Sequence, residues 1–484
     1  MDRLRVENKM AQLDPPTEAL YSFNSWRELS YRPFLILLAI AGSARVALML
    51  AYFPAIMIFV DSARYARINS WPLFGDFWVP AGYPMLLQLL HAISNRLWVT
   101  IAFQHLLGVS IGAFLFLALR RLGIARWIAC LPAAVPLLSG DQLYQEHTVM
   151  SDFFFTVLAT AGICVAIRGL VPTLQLKWLA AGSVLIGAAG LTRNIGFALL
   201  PVLGVCSAVW FRQSLRHIYL ALAAATLPAL LVLGCYWGAF LLTHGRYLGL
   251  SDMRGWNLYA RAAPFADCGK FTPPAGTEIL CEQRPPSERP GPFGYVWDLK
   301  STPRRMFVLG PESSRKLGVF GQRAILHQPL DYLQAVVIDL AKYIDPMIAA
   351  RQRYGGTPRE VLSFAYRGDS EKLVVDAMAK GYRGVNVRLH GRQFLAFYQD
   401  VFRVDGLMIC TLLFFTVLGL FKARGQICLG IWLFGLSAFA LYAAPVIVMS
   451  YDYRYGIPPQ GLLAVSGVLG IVALAPRKQS QSNS

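Results

Sequence analysis

The sequence predicts an all-α membrane protein of about ten transmembrane helices, with a mixed but mainly helical extracytoplasmic domain inserted late in the chain. Three observations predict it. Of the 484 residues, 56% are hydrophobic and only 15% are charged, with a mean hydropathy of +0.46. That leaves too few polar side chains to cover a soluble globule. Apolar runs long enough to cross about 30 Å of hydrocarbon recur along the chain. Between two late runs, residues 243–402 return to ordinary polarity.

Seven runs have spanning length: 34–57, 98–119, 149–167, 218–242, 403–421, 427–447 and 456–474. Shorter ones at 127–139, 178–191 and 195–211 complete the set. The first two of these are short enough to meet their neighbours partway, as paired helices with a turn buried against protein. Segment 243–402 exceeds any plain connector and carries amphipathic stretches at 318–344 and 371–403, so it reads as a soluble domain. The chain thus divides into a tail (1–33), a membrane module with outer loops (34–242), the inserted domain (243–402), C-terminal spans (403–474) and a second tail (475–484).

Orientation follows from positive charge, which short cytoplasmic connections retain. Arg3, Arg5, Lys9, Arg27 and Arg32 precede the first run. Arg120, Arg121 and Arg126 follow the second, and Arg168 and Lys177, Arg212 and Arg216, Lys422 and Arg424, and Arg477 and Lys478 mark later alternate connections. Every second connection is basic, which puts both termini in the cytoplasm of a multi-pass plasma (inner) membrane protein. The first 32 residues lack a secretory signal's apolar core and cleavage site, so the first span is expected to remain as an anchor. Membrane topology explains much of the net charge of +18. No aromatic-basic stripe points to nucleic acid.

Six cysteines lie in apolar runs, where a thiol behaves as a small hydrophobe. Cys268 and Cys281 instead bracket a Pro- and Gly-containing loop in the inserted segment, where a disulfide persists if that segment is outside the cytoplasm. No Cys-x-x-Cys, His-Glu-x-x-His or Asp-x-Asp pattern offers a metal site.

Four polar constellations fall on the outer face. The first is Asp61, Arg64 and Tyr65, where the first run surfaces, followed by Gly75-Asp76 and Pro80-Ala81-Gly82-Tyr83-Pro84. Asp61 and Arg64 share a helix face and also read as a surface ion pair contributing about 1 kcal/mol at most. The Pro-Gly-Tyr-Pro turn also reads as a helix entrance. The second is Asp141, Tyr144, Gln145, Glu146, His147, Ser151 and Asp152. Here Asp152 suits a helix N-terminus, whereas Glu146 has less structural excuse. The third, Leu191-Thr192-Arg193-Asn194, and the fourth, Tyr451-Asp452-Tyr453-Arg454-Tyr455-Gly456-Ile457-Pro458, each bring an arginine to the outer surface. Such arginines snorkel to headgroups or, where two converge, grip a phosphate in bidentate fashion.

These motifs, in this order and on one side, resemble GT-C-type membrane glycosyltransferases that use polyprenyl-phosphate sugar donors, such as the protein O-mannosyltransferases and the lipid A aminoarabinose transferases. The resemblance covers residues 33–242 and 403–474 and is weaker in the insert. It implies transfer of a monosaccharide, with inversion, to the hydroxyl of an extracytoplasmic glycan, lipid or protein acceptor. Asp61 is then the general base, with Glu146 or Asp152 next in line. Arg64, Arg193 and Arg454, with Tyr65 and Tyr455 beside them, contact the donor, and which arginine holds the phosphate stays open. No cofactor is required, and a divalent cation remains open. One departure stands out: many members carry Asp-Glu where this chain has Asp61-Ser62. Two other classes compete, a lipid or polysaccharide transporter (flippase) and a surface-polysaccharide polymerase or ligase using a lipid-diphosphate glycan. A flippase is disfavoured by the absence of internal repeats.

Overall fold

The computed structural model describes residues 31–65, 74, 79–244, 253–345, 361–366, 368 and 371–475. Residues 1–30 and 476–484 of the two tails, and Gly75-Asp76 of the first constellation, lie outside the described residues. The fold is almost wholly helical. The membrane part comprises α1 (Arg32–Ala51), β1 (Tyr52–Phe53), α2 (Val60–Tyr65), α3 (Gly82–Ile93), α4 (Leu97–Arg121), α5 (Arg126–Leu138), α6 (Gly140–Glu146), α7 (Ser151–Leu170), α8 (Leu176–Thr192), α9 (Leu199–Trp210) and α10 (Leu215–His244). The connecting segment carries α11 (Met253–Ala262), α12 (Pro292–Trp297), α13 (Thr302–Met306), α14 (Pro311–His327), α15 (Pro329–Ala341), α16 (Lys372–Ala379), β2 (Arg388–Leu389) and α17 (Arg392–Val401). Helices α18 (Gly406–Lys422), α19 (Gly425–Val448) and α20 (Gln460–Leu474) follow.

Among the described residues, seven helical stretches are long and apolar enough to cross a membrane, and three shorter apolar helices accompany them. They fall on the ten runs expected from hydropathy, because hydrocarbon accepts only segments whose backbone is hydrogen-bonded internally. The short α5 is about 20 Å long at 1.5 Å per residue. It contains Pro132 and Pro136 and breaks at Ser139, whose side chain accepts from Gln142 N to start α6. Every residue of α6 is buried, so its many polar groups face protein. Close packing between spans uses small residues: Gly419 of α18 meets Gly470 of α20 so tightly that a Cβ at Gly470 would overlap the Phe415 carbonyl.

Two expectations shift. The first run ends as a helix at Ala51, not at residue 57, because Tyr52 and Phe53 turn into a strand paired antiparallel with Leu389 and Arg388, and Pro54 follows. The stretch 318–344 is two helices broken at Gln328-Pro329. There the buried Gln328 amide bonds Phe265 O (3.0 Å) and Asp331 (2.8 Å), and its oxygen accepts from Asp267 N (2.8 Å).

The segment from Met253 onward packs a core of its own around Trp256, Tyr259, Phe293, Leu317 and Phe320. Cys268 and Cys281 are joined by a disulfide at its edge. Arg261 of α11 forms a buried ion pair with Asp339 of α15. Asp339 also lies 3.3 Å from Ser450 Oγ and 3.4 Å from Tyr451 N, which ties this segment to the chain entering α20.

Candidate functional site

The turn before α20 is built by Asp452, whose side chain accepts from Arg454 N (3.1 Å) and so opens the short 3-10 helix Tyr453–Gly456. Two contacts fasten this turn to α6: Tyr453 OH donates to Asp141 Oδ2 (2.8 Å), and Gln145 Nε2 donates to Arg454 O (3.1 Å). Arg454 is thereby aimed by backbone on one side and carboxylate on the other. Its Nε lies 3.1 Å from Asp452 Oδ2 and its Nη2 3.2 Å from Tyr455 OH. Its Nη1 reaches Asp61 Oδ2 at 3.4 Å, joining positions 393 residues apart.

Arg193, at the C-cap of α8, pairs with Asp152 in the first turn of α7 at 2.5 Å. The guanidinium groups of Arg193 and Arg454 both lie over the Tyr455 ring, at 4.7 and 5.1 Å from its centre. Burial opposes the charge of Arg193, but Asp152 and then Tyr455 outweigh it and raise its pKa. Burial also pushes the Tyr65 hydroxyl well above its ordinary value, reinforced by Asp61 and offset by a hydrogen bond with Ser151. Tyr65 is therefore a neutral hydrogen-bonding wall, packed edge-on against Tyr83 at 4.9 Å.

Asp61, Tyr65, Asp152, Arg193, Arg454 and Tyr455 thus form one group of alternating charge, drawn from α2, α7, α8 and the turn before α20. Arg64 stands beside Tyr65 in the last turn of α2. Of the three carboxylate-guanidinium contacts, Asp61–Arg454 is the longest, and the Asp61 side chain is 34% exposed. Among the described residues, no group of three or more His, Cys, Asp or Glu side chains is gathered to hold a metal ion.

Glu146 is elsewhere in chemical terms. It is fully buried, and its carboxylate accepts from Arg45 Nη2 (2.7 Å) and Nε (2.8 Å), lies 2.9 Å from His105 Nδ1, and takes a 3.3 Å contact from Gln142. Gly108 makes room for it, since a Cβ there would overlap the carboxylate. Arg45 completes its fan of donors with Ala41 O (3.0 Å) and Leu137 O (2.9 Å). Sequence reasoning missed Arg45, a single charge in an apolar run, and the adjacent pair Gln104-His105, likewise embedded in one. A charge in mid-span is the signal that finds such residues.

Two further positions take plain structural roles. Gly82-Tyr83-Pro84 is the entrance of α3, with Tyr83 OH donating to Gln104 Oε1 (2.7 Å). Ser62, at the departure from Asp-Glu, is fully buried and donates to Val149 O (3.0 Å). It faces the packed interior beside Asp61, where a second carboxylate would meet a carbonyl.

The chain matches no protein-family model and no curated protein. Among solved structures it is similar to the S. cerevisiae protein O-mannosyltransferase Pmt1-Pmt2 complex bound to the sugar donor, with 14% identity, 47% of this chain and 36% of that chain covered, and a TM-score of 0.36. It is similar to the Archaeoglobus fulgidus oligosaccharyltransferase tethered with an acceptor peptide, with 12% identity, 90% and 49% coverage, and a TM-score of 0.44. It is also similar to ArnT from Cupriavidus metallidurans bound to undecaprenyl phosphate, with 15% identity, 91% and 78% coverage, and a TM-score of 0.38. The match therefore spans about a third of the mannosyltransferase chain and about half of the oligosaccharyltransferase chain. All three are glycosyltransferases of the GT-C class.

Proposed function

We propose that this chain is a membrane glycosyltransferase that moves a monosaccharide from a polyprenyl-phosphate donor to an acceptor hydroxyl outside the cytoplasm, with Asp61 as general base. The observation that carries the reading is the convergence of Arg454 and Arg193 on Tyr455, with Asp61 and Asp152 paired to them across the chain. Polar groups gathered from four distant segments at the ends of apolar helices suit a substrate that is part lipid and part phosphate-sugar.

In this mechanism the donor phosphate takes Arg454 from Asp61, since that is the longest of the three pairings. The freed carboxylate accepts the proton of the acceptor hydroxyl. The hydroxyl oxygen bonds the anomeric carbon from the face opposite the phosphate, and the carbon–phosphate-oxygen bond breaks with its electrons on the departing lipid phosphate. The configuration inverts. Base assistance of this kind contributes about 10²–10⁴-fold, and guanidinium groups screened from water stabilise the growing phosphate charge. Asp152 keeps Arg193 in place, and Glu146, consumed by Arg45 and His105, is left out of the chemistry.

The test is to incubate purified protein with a panel of polyprenyl-phosphate monosaccharides and an acceptor extract, and to follow release of free lipid phosphate. Release from one sugar, lost in Asp61→Asn, supports the reading. Release only from a lipid-diphosphate oligosaccharide replaces it with a glycan ligase. Movement of intact donor across vesicles without cleavage replaces it with a flippase.

A further inference from the structure

Helix α4 carries two adjacent polar residues, Gln104 and His105, in the middle of an apolar face, and both are buried. Gln104 Nε2 donates to Glu146 O (2.7 Å) and Thr148 O (3.0 Å). His105 lies between two partners, its Nδ1 2.9 Å from Glu146 Oε2 and its Nε2 3.0 Å from His147 Nδ1. His147 Nε2 in turn lies 2.6 Å from the carbonyl of Tyr52.

The protons in this chain are fixed by donor-acceptor accounting. A carbonyl only accepts, so His147 Nε2 carries a hydrogen. Burial, with His105 next to it, holds the His147 ring neutral, so its Nδ1 accepts and His105 Nε2 donates. His105 Nδ1 then faces a carboxylate oxygen, and one proton lies between them. Arg45 balances the Glu146 charge from the other side.

What this chain holds is the segment that carries Asp61. Residues 147–149 grip residues 52–62 at three points: His147 Nε2 on Tyr52 O at 2.6 Å, Ile56 N on His147 O at 2.9 Å, and Ser62 Oγ on Val149 O at 3.0 Å. The last grip is one residue from Asp61.

We propose that His105 and His147 are positioning residues for Asp61: the Arg45–Glu146–His105–His147 chain clamps residues 52–62 onto residues 147–149 and so sets the Asp61 carboxylate against Arg454. The proposal rests on the reading of Asp61 as base, and its test has one arm that does not.

His147→Phe keeps a ring and loses both side-chain hydrogen bonds. His147→Gln returns an amide donor near the Nε2 position and with it the bond to Tyr52. In His147→Phe, kcat falls about ten- to a hundredfold, as for a base displaced by about 1 Å. The donor KM stays within about twofold, because the phosphate ligands are untouched. Amide exchange across residues 52–62 rises about tenfold while the Trp256–Phe320 core keeps its protection. His147→Gln recovers most of both losses. Wild-type kcat in His147→Phe, unchanged exchange, or a KM that rises as kcat falls each overturns the proposal. If the wild-type chain transfers no sugar, the enzymatic reading fails by itself. The exchange arm still decides the clamp: faster exchange in His147→Phe supports it and unchanged exchange overturns it.

Discussion

Asp61→Asn is expected to separate chemistry from binding, and the geometry gives the size of each effect. At 3.4 Å, opposite unit charges attract by about 1 kcal/mol in water-like surroundings. The Asp61 side chain is 34% exposed, so the net contribution of the pair to stability is about 0–1 kcal/mol. Folding is therefore preserved, with Arg454 still held by Asp452 and Tyr455. A donor phosphate no longer competes with Asp61 for Arg454, so donor affinity stays level or tightens, by about fivefold at most if the full 1 kcal/mol is recovered. The amide cannot take a proton, so kcat falls about 10²–10⁴-fold. Single-turnover transfer, alongside equilibrium binding of the donor in nanodiscs, measures both. Near wild-type kcat would remove Asp61 as base. A donor affinity weakened tenfold would refute the idea that Asp61 and phosphate share one guanidinium.

Four other outcomes are expected. Replacing Arg193 or Arg454 with Ala weakens donor binding by about 1.5–3 kcal/mol if that side chain bonds the phosphate, and equilibrium binding showing no change in either variant returns both to headgroup anchoring. Arg45→Met leaves Glu146 buried beside a vacant site and costs about 3–5 kcal/mol. Adding Glu146→Leu recovers part of that in detergent stability assays, and strictly additive losses would argue against coupling. Opening the Cys268–Cys281 loop, 13 residues apart, with Cys268→Ser lowers the stability of its surroundings by about 3 kcal/mol at most; alkylation of both thiols in folded wild-type protein without reductant would contradict the bond. A topology reporter fused after residue 300 is active only if it functions outside the cytoplasm, and cytoplasmic activity would overturn the assignment of the site to the outer face.

The helices were legible because lipid imposes one requirement on every span, and a run such as 427–447 meets it in composition alone. The end of the first span was not, because Tyr52 and Phe53 pair with Leu389 and Arg388, a long-range contact that no local pattern announces. At the site, Asp61, Asp152, Arg193 and Arg454 stood out singly as charges at the ends of apolar runs. Which carboxylate meets which guanidinium was invisible: Asp61 suggested a partner within its own turn, and its ion pair with Arg454 depends on how α20 is seated. Glu146 looked spare only because Arg45 was concealed in an otherwise apolar helix. An ion pair with one member in a span and the other in a short polar helix between spans exposes half of itself to sequence reasoning.

The 393 residues between Asp61 and Arg454 also set a clock on biogenesis. At about 5–20 residues per second, a ribosome needs roughly 20–80 s to travel from one to the other. Throughout that interval the nascent chain carries its carboxylates at the membrane without the guanidinium that completes the cluster. A product truncated before residue 454 therefore holds Asp152 and Arg193 but leaves Asp61 without its guanidinium partner, and that pair closes only once the turn before α20 is in place.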